Sequence, residues 1–562
     1  MLVVALGLLA GVILQGSTLW HQPISMDNAE LFEDFRSASW NQLFSYDRFS
    51  HLRPAKNLWF ALLARHPDAL PLARAFVVFA CLVSAWLMNR LSRPLWPDLP
   101  LLPAALSVAW LVNPTTVSTV AWLATANYVF AGAGTLGFIA LAMASMEPGA
   151  SPPVHQSRAW AATLSLTIGA LNHPGALLAG PLLLAYAPCV KALRGQTGPL
   201  LRRMALPYVL VVGLVVLLHV RAGAPPGGYP FTQLYPGWVL PFSSARYLFD
   251  NLALWLWPYG RFGVLLWDQP DKSLGLSAAC IALLLGAGYY ALWRKRHDRV
   301  LRFGVLWTLG FLLPVTNLVP FGNTPVALHY PYLAGWGLVI VLGRLAQSAV
   351  ERFRGEGGAA RISAVLVVAA LGVWLQPALA AAARWGDEVE LFVTTMDNYP
   401  DNLRARVNLA DVYIQEERLP EARRLLEASL RRFPQAPGLV GNYATILHML
   451  EDHARLVAFV EANQAAQASS RVGFLYGQAL AKTGQAERAL AQFTSLLGGT
   501  LDKEAHFAIG YQRATLLVQL GRHADAQAAL QSLLRHFPDH PDLLLTRQLI
   551  DRVLNARSHP PR

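Results

Sequence analysis

Apolar and polar residues along this chain fall into long blocks, not short periods. Apolar runs occupy 2–20, 71–89, 99–112, 117–143, 158–172, 174–190, 204–221, 273–293, 301–319, 326–345 and 362–383. About 20 apolar residues in a helix cross a bilayer, so these runs predict about eleven membrane-spanning helices. Two breaks between runs are short, Asn113-Pro114 and His173-Pro174. Proline beside a polar residue suits a tight turn, here expected at the membrane surface. Segment 246–268 is aromatic and reads as a hairpin or an interfacial helix, since Trp and Tyr rings sit at headgroup level. The first run has no basic stretch before it and no small-residue cleavage site after it, which predicts a retained helix, not a cleaved signal.

From about residue 387 the block pattern gives way to a repeat. Pro400 and Pro434 are 34 residues apart, and Pro538 follows 104 residues later, close to three more units. Leu409, Ala410, Tyr413, Ala422 and Pro434 fit the spacing of a tetratricopeptide repeat. Tyr476, Gly477, Gly484, Ala489 and Phe493 fit another, and Ala514, Gly521, Ala526 and Pro538 a third, with 437–468 a degenerate unit. Small residues let paired helices approach closely, and the apolar positions bury one pair against the next. The predicted fold class is therefore all-α. A polytopic membrane helix bundle fills 1–383, with a first external loop at 21–70. A linker (384–399), a soluble α-solenoid of about four repeats (400–545) and a polar cap and tail (546–562) follow.

Composition agrees with the membrane class: 54% of the 562 residues are hydrophobic, 14% are charged, and the mean hydropathy is +0.35. A net charge of +12 suggests nucleic acid in a soluble protein. Here the excess sits between apolar runs, in Lys191, Arg194, Arg202 and Arg203, in Arg294, Lys295, Arg296, Arg299 and Arg302, and in Arg344, Arg352, Arg354 and Arg361. Cytoplasmic loops carry such residues, so no nucleic-acid partner is expected. Segment 222–245 has no charged residue. With the basic loops inside, the N-terminus is cytoplasmic, and 21–70, 222–245 and everything after 383 lie outside. Cys81, Cys189 and Cys280 all sit in apolar runs and imply no disulfide framework.

The candidate chemistry is concentrated in 21–57. Asp27, Glu30 and Asp34 fall at i, i+3 and i+7, one face of a helix. Arg53 and Lys56 follow, then Trp59 and Phe60. Acids, bases and aromatics on one external loop suit a charged, lipid-linked substrate; the plain alternative is a solvated loop. No HExxH, clustered His and Cys, or DxD pair marks a metal site. A divalent ion is thus unsupported and no cofactor is implied. No phosphate-cradling glycine loop follows a strand, which argues against a cytoplasmic nucleotide-sugar donor.

Several short motifs carry a resemblance. They are Met26-Asp27-Asn28 after the first helix, Arg53-Pro54 before the second, Asn113-Pro114 with Val120-Ala121-Trp122, Leu313-Pro314-Val315-Thr316-Asn317-Leu318, and Tyr330-Pro331-Tyr332-Leu333. In this order, and with the repeats behind them, the chain resembles the multi-span glycosyltransferases of the GT-C class. The likeness is to the branch with C-terminal tetratricopeptide repeats, which includes the transmembrane and tetratricopeptide-containing O-mannosyltransferases. The resemblance implies sugar transfer from a polyprenyl-phosphate donor to a protein or glycan acceptor outside the cytoplasm. Asp27 would be the general base, with Glu30 and Asp34 as alternatives on the same face. Arg53 would hold the donor phosphate, with Lys56, Arg246 and Arg261 behind it, and Asn28, His329 and Tyr330 would line the site. The repeats would bind the acceptor, and the membrane would be a bacterial cytoplasmic one with the repeats in the periplasm. Departures are plain: Asn28 stands for the family's second acid, His173-Pro174 for a Lys-Glu pair, and Leu328-His329 for Glu-Arg. Two other readings compete, a cell-envelope polysaccharide ligase or polymerase and a non-enzymatic, membrane-tethered repeat scaffold.

Overall fold

The computed structural model describes residues 1–20, 35–36, 38–46, 51–147, 149, 151–223, 240–263, 274–316, 326–352, 358–499, 503–537 and 548. Asp27, Asn28, Glu30 and Asp34, and the helical face expected to join the acids, lie outside the described residues. The chain divides into two compact units, Met1–Ala405 and Arg406–Arg562. All regular structure among the described residues is helical.

The first unit opens with α1 (Leu2–Ser17), α2 (Pro54–Leu63) and α3 (Ala69–Ser92). Next come α4 (Leu102–Leu111), α5 (Pro114–Ala121), α6 (Ala126–Ala144), α7 (Pro152–Asn172) and α8 (Thr197–Ala222). The unit continues through α9 (Leu240–Leu256), α10 (Leu274–Gly288), α11 (Arg299–Leu312) and α12 (Pro331–Arg352). It ends with α13 (Gly358–Ala370), α14 (Gln376–Arg384) and α15 (Glu388–Asn398).

Among the described residues six helices are long and apolar enough to cross a membrane: Ala69–Leu95, Leu123–Ala144, Thr197–Ala222, Gly275–Arg294, Arg299–Thr316 and Arg361–Arg384. Counting the α4–α5 pair, bent by 56°, as one span makes seven. The expected eleven is therefore too many, for reasons legible in the helices themselves. α1 has only 16 residues, about 24 Å at 1.5 Å per residue. Prolines 174, 181 and 188 cut the next apolar run into a 3₁₀ turn, a short helix and another 3₁₀ turn. α7 opens with His155, Gln156 and Arg158, and the last turns of α12 carry Arg344 and Gln347, which dilutes the apolar character of both.

The Asn113-Pro114 break is not an exposed turn, as the sequence suggested; Asn113 is fully buried. Its carboxamide oxygen accepts from the Thr115 backbone N–H (3.0 Å) and hydroxyl (2.6 Å), and its Nδ2 donates to the Trp255 carbonyl (2.9 Å). One capping side chain satisfies the groups a helix start leaves open, so the kink can be buried. Of the two expectations for 246–268, the described part (246–263) starts as a helix and not a hairpin: α9 buries Tyr247 and Trp255, Trp255 packs 4.8 Å from Trp374, and Trp257 and Tyr259 beyond it are exposed. α6 and α7 run so close that a Cβ at Gly134 would lie 2.7 Å from the Gly169 Cα, the small-residue packing that membrane helices use. Part of the expected loop 21–70 is also helical, as α2 and a turn of helix at Trp40–Leu43.

Residues 384–399, expected as a linker, carry α15. Asp387 caps it by accepting from the Glu390 N–H (3.0 Å), and its far end is tied down by Asn398 Nδ2 to the Phe262 carbonyl (2.8 Å) and Tyr399 OH to the Arg261 carbonyl (2.9 Å).

The second unit is a run of helix pairs, as the 34-residue period predicts. The first is α16 (Leu403–Gln415), whose first turn precedes the division at Ala405, with α17 (Leu419–Arg432). It is followed by α18 (Pro437–Met449) with α19 (His453–Ala462), α20 (Ser470–Lys482) with α21 (Ala486–Leu497), and α22 (Lys503–Gln519) with α23 (His523–His536). Glycine matters most at Gly477, where an added Cβ would lie 2.5 Å from the Phe493 ring.

Candidate functional site

Four chain segments meet at one end of the first unit. Pro54 starts α2 and leaves Arg53 at its N-cap, half-buried with its backbone out of the helix. Asn127 and Tyr128 open α6 just after a 3₁₀ turn, Leu123–Thr125. His173 ends α7 in an extended conformation, and His329 and Tyr330 lie on the turn before α12.

Arg53 Nη1 donates to Asn127 Oδ1 at 3.5 Å. The Tyr128 ring centroid lies 4.6 Å from that of His173 and 4.7 Å from that of His329; His329 and Tyr330 are 4.6 Å apart. Trp122, at the end of α5, stands between His329 (5.5 Å) and Trp385 (5.4 Å, stacked).

The electrostatics of this cluster are one-sided. Arg53 forms no ion pair among the described residues. Burial first, and then the Arg53 charge, push His173 down to about 3 and hold His329 well below its usual value. Both imidazoles are therefore neutral at pH 7. His173 Nδ1 accepts from the Gly175 N–H at 3.1 Å, which places its proton on Nε2 as a donor. Three further buried nitrogens have no hydrogen-bond partner among the described residues: Asn127 Nδ2, His329 Nδ1 and Trp122 Nε1. An unpartnered buried polar group costs about 1–3 kcal/mol. The Asn127 and Trp122 donors, kept at that cost beside the Arg53 guanidinium, suit an anion.

The structure thus brings together three sequence-predicted residues, Arg53, His329 and Tyr330. Lys56 sits on α2, 4% exposed, with its Nζ 5.9 Å from the Phe60 ring centroid. Arg261 and Arg246 belong elsewhere: Arg246 Nε lies 2.8 Å and Arg261 Nη1 4.0 Å from the carboxylate of buried Asp250. That carboxylate offsets both charges, which lowers their value as phosphate ligands. No group of three His, Cys, Asp or Glu side chains able to hold a metal occurs among the described residues.

Sequence reasoning missed Trp122, Asn127, Tyr128 and Arg74 as site residues, and took His173 only as a departure from a motif. Arg74 was visible, since a charge inside an apolar run is a functional signal. It is 2% exposed, and its Nη1 donates to the Thr18 carbonyl (3.1 Å) and the Ala121 carbonyl (3.3 Å). It therefore clamps the end of α5 beside Trp122 to the 3₁₀ turn (Thr18–Trp20) that follows α1 and leads into 21–34. Asn127 and Tyr128 carry no comparable signal, because only the fold sets them opposite Arg53.

Family comparison matches the repeats. Residues 380–440 and 509–540 match the tetratricopeptide repeat. The first match extends back through α15, so the helical repeat character begins before residue 400. No curated protein matches the chain.

Proposed function

We propose that this protein is an integral-membrane glycosyltransferase that takes a sugar from a polyprenyl-phosphate carrier and passes it to a protein or glycan acceptor. The observation that carries the proposal is the cluster of unpartnered buried donors around Arg53. In the reaction an acceptor hydroxyl oxygen attacks the anomeric carbon as the bond from that carbon to the phosphate oxygen breaks. Asp27 takes the hydroxyl proton. The departing polyprenyl phosphate gains negative charge, which Arg53 stabilises. Neutral His173 and His329 donate hydrogen bonds without adding charge, so the product phosphate is not held so tightly that it stalls release. Arg74 anchors the chain entering 21–34 at the same end of the bundle, which favours an acid from that stretch as the base. The repeats hold the acceptor, and the site faces the periplasm of a bacterial cytoplasmic membrane. The repeat matches by themselves favour a second reading, a membrane-tethered scaffold, but a scaffold has no use for unpaired buried donors.

The test is transfer by the purified full chain in detergent, with a panel of polyprenyl-phosphate sugars and candidate acceptors, comparing wild type with Asp27→Asn. The proposal expects release of polyprenyl phosphate by wild type and loss of at least 100-fold in the variant. Equal turnover by both would move the base to Glu30 or Asp34. No release with any donor would leave the scaffold reading standing.

A further inference from the structure

The far end of α3 carries a second basic feature that the proposed reaction does not use. Trp86, Asn89, Arg90 and Arg93 fall at i, i+3, i+4 and i+7, one stripe down the helix and into the 3₁₀ turn Arg93–Leu95. They line a groove of about 250 Å³, a little below the roughly 300 Å³ at which drug-sized clefts begin. Both arginines are exposed, and no carboxylate lies within ion-pair reach of either among the described residues. The Arg90 guanidinium instead lies over the Trp86 ring, 5.6 Å from its centroid, and Trp86 is 56% exposed.

Position decides what such a groove meets. Arg74 and Arg90 are sixteen residues apart on one helix, about 24 Å at 1.5 Å per residue. The hydrocarbon core is about 30 Å thick. If the Arg74 end faces one interface, the groove stands near the other, with an exposed indole at headgroup depth where Trp is enriched. Two guanidinium forks and a carboxamide match the oxygens of a phosphodiester, and the indole face matches the start of the acyl chains.

We infer that Trp86, Asn89, Arg90 and Arg93 form a binding site for the headgroup phosphate of an anionic phospholipid, at the end of α3 opposite Arg74. The ligand chemistry is a phosphate monoanion, and the lipid, not a soluble phosphate, is its source. Native mass spectrometry of the full chain in detergent tests this, titrating dioleoylphosphatidylglycerol against dioleoylphosphatidylcholine. Wild type should retain the anionic lipid at least tenfold better than the zwitterionic one, and the double variant R90Q/R93Q should lose that preference. R90K/R93K, which keeps the charges, should preserve most of it. Should the glutamine pair fail to fold, R93Q alone is measured and should cut the preference at least threefold. Equal retention of the two lipids by wild type, or an undiminished preference in the glutamine variants, overturns the inference. Displacement of the bound lipid by millimolar inorganic phosphate overturns the lipid assignment in favour of a soluble anion. None of these readouts needs glycosyl transfer, so they stand or fall apart from the proposed reaction.

Discussion

The two units differ in how many polar side chains they bury. In the repeats the buried positions are almost wholly apolar, Ala410, Ala422, Leu426, Ala444, Leu447, Leu480 and Ala489 among them. Charges lie mostly outside, and several are paired there, as Arg423 is with Glu427 (3.0 Å), Arg488 with Glu461 (2.5 Å) and Arg522 with Asp525 (2.8 Å). The first unit buries Arg74, Asn113, Thr115, Ser118, Thr119, Asn127 and His329. Some of these are spent on structure: Asn113 caps a buried kink, and Arg74 holds two helix ends. Asn127 keeps an amide donor, and His329 a ring nitrogen, that have no partner among the described residues. A fold selected for stability alone would replace such groups, because their burial is uncompensated. Unpartnered buried nitrogens occur in the repeats as well, on His448, His453 and His523, so what sets the first unit apart is their gathering beside Arg53, the arrangement on which the proposed function rests.

The largest effect should come from breaking the stacking rule. Phe493 is 1% exposed and fills the space that Gly477 leaves open on α20. Phe493→Ala removes the ring and leaves a cavity, at a cost of about 3–5 kcal/mol. Hydrogen–deuterium exchange of the full chain should show peptides from 470–497 losing protection by at least 100-fold. Unchanged protection there would mean that the helix pairs do not depend on their apolar contacts.

Applied to the binding region, the same logic predicts the reverse sign. Asn127→Leu is close to isosteric, removes an unpartnered buried amide, and leaves Arg53 without its 3.5 Å acceptor. Thermal stability should hold or rise by about 1 kcal/mol, while transfer falls at least tenfold. A drop in melting temperature would show Asn127 to be a structural residue and would weaken the case for an anion seat.

That reversal also explains what could be read from the sequence. The repeats were legible because each unit solves the same packing problem, so an alanine recurs at Ala422, Ala489 and Ala526 and a proline at Pro434 and Pro538, near multiples of the 34-residue period. The apolar runs were legible as helices. Their number was not, because hydropathy does not register that three prolines cut 174–189 or that Asn113 permits a buried 56° bend. Of the site, Arg53, His329 and Tyr330 were reached through motif resemblance. Asn127, Tyr128 and Trp122 were not, since an uncharged polar or aromatic residue in an apolar run looks the same whether it caps, packs or binds. Arg246 and Arg261 looked available only because their shared partner, Asp250, could not be seen.

The smallest effect tests whether the repeats hold any polar group against its preference. Asp411, on α16, is the carboxylate to test. Burial raises its proton affinity above the ordinary aspartate range, and the opposing pull of the Asn442 hydrogen bond and the Arg471 charge is weaker. A carboxyl whose pKa is higher in the folded chain than in the unfolded chain makes folding take up protons. The folded state is then penalised as pH rises through the unfolded value, near 3.9, and the penalty is complete above the folded value. Asp411→Asn carries no charge at any pH and keeps a group of similar shape. The variant should therefore be slightly more stable than wild type at pH 7, by well under about 1 kcal/mol, and the gap should close on acidification below the unfolded value. Exchange protection of peptides from 403–449, followed from pH 7 down to pH 3.5 with intrinsic rates corrected, measures both the sign and the closure. A gap that widens on acidification would mean that Arg471 and Asn442 outweigh burial. Asp411 would then be a satisfied, paired carboxylate whose charge stabilises the repeats at neutral pH.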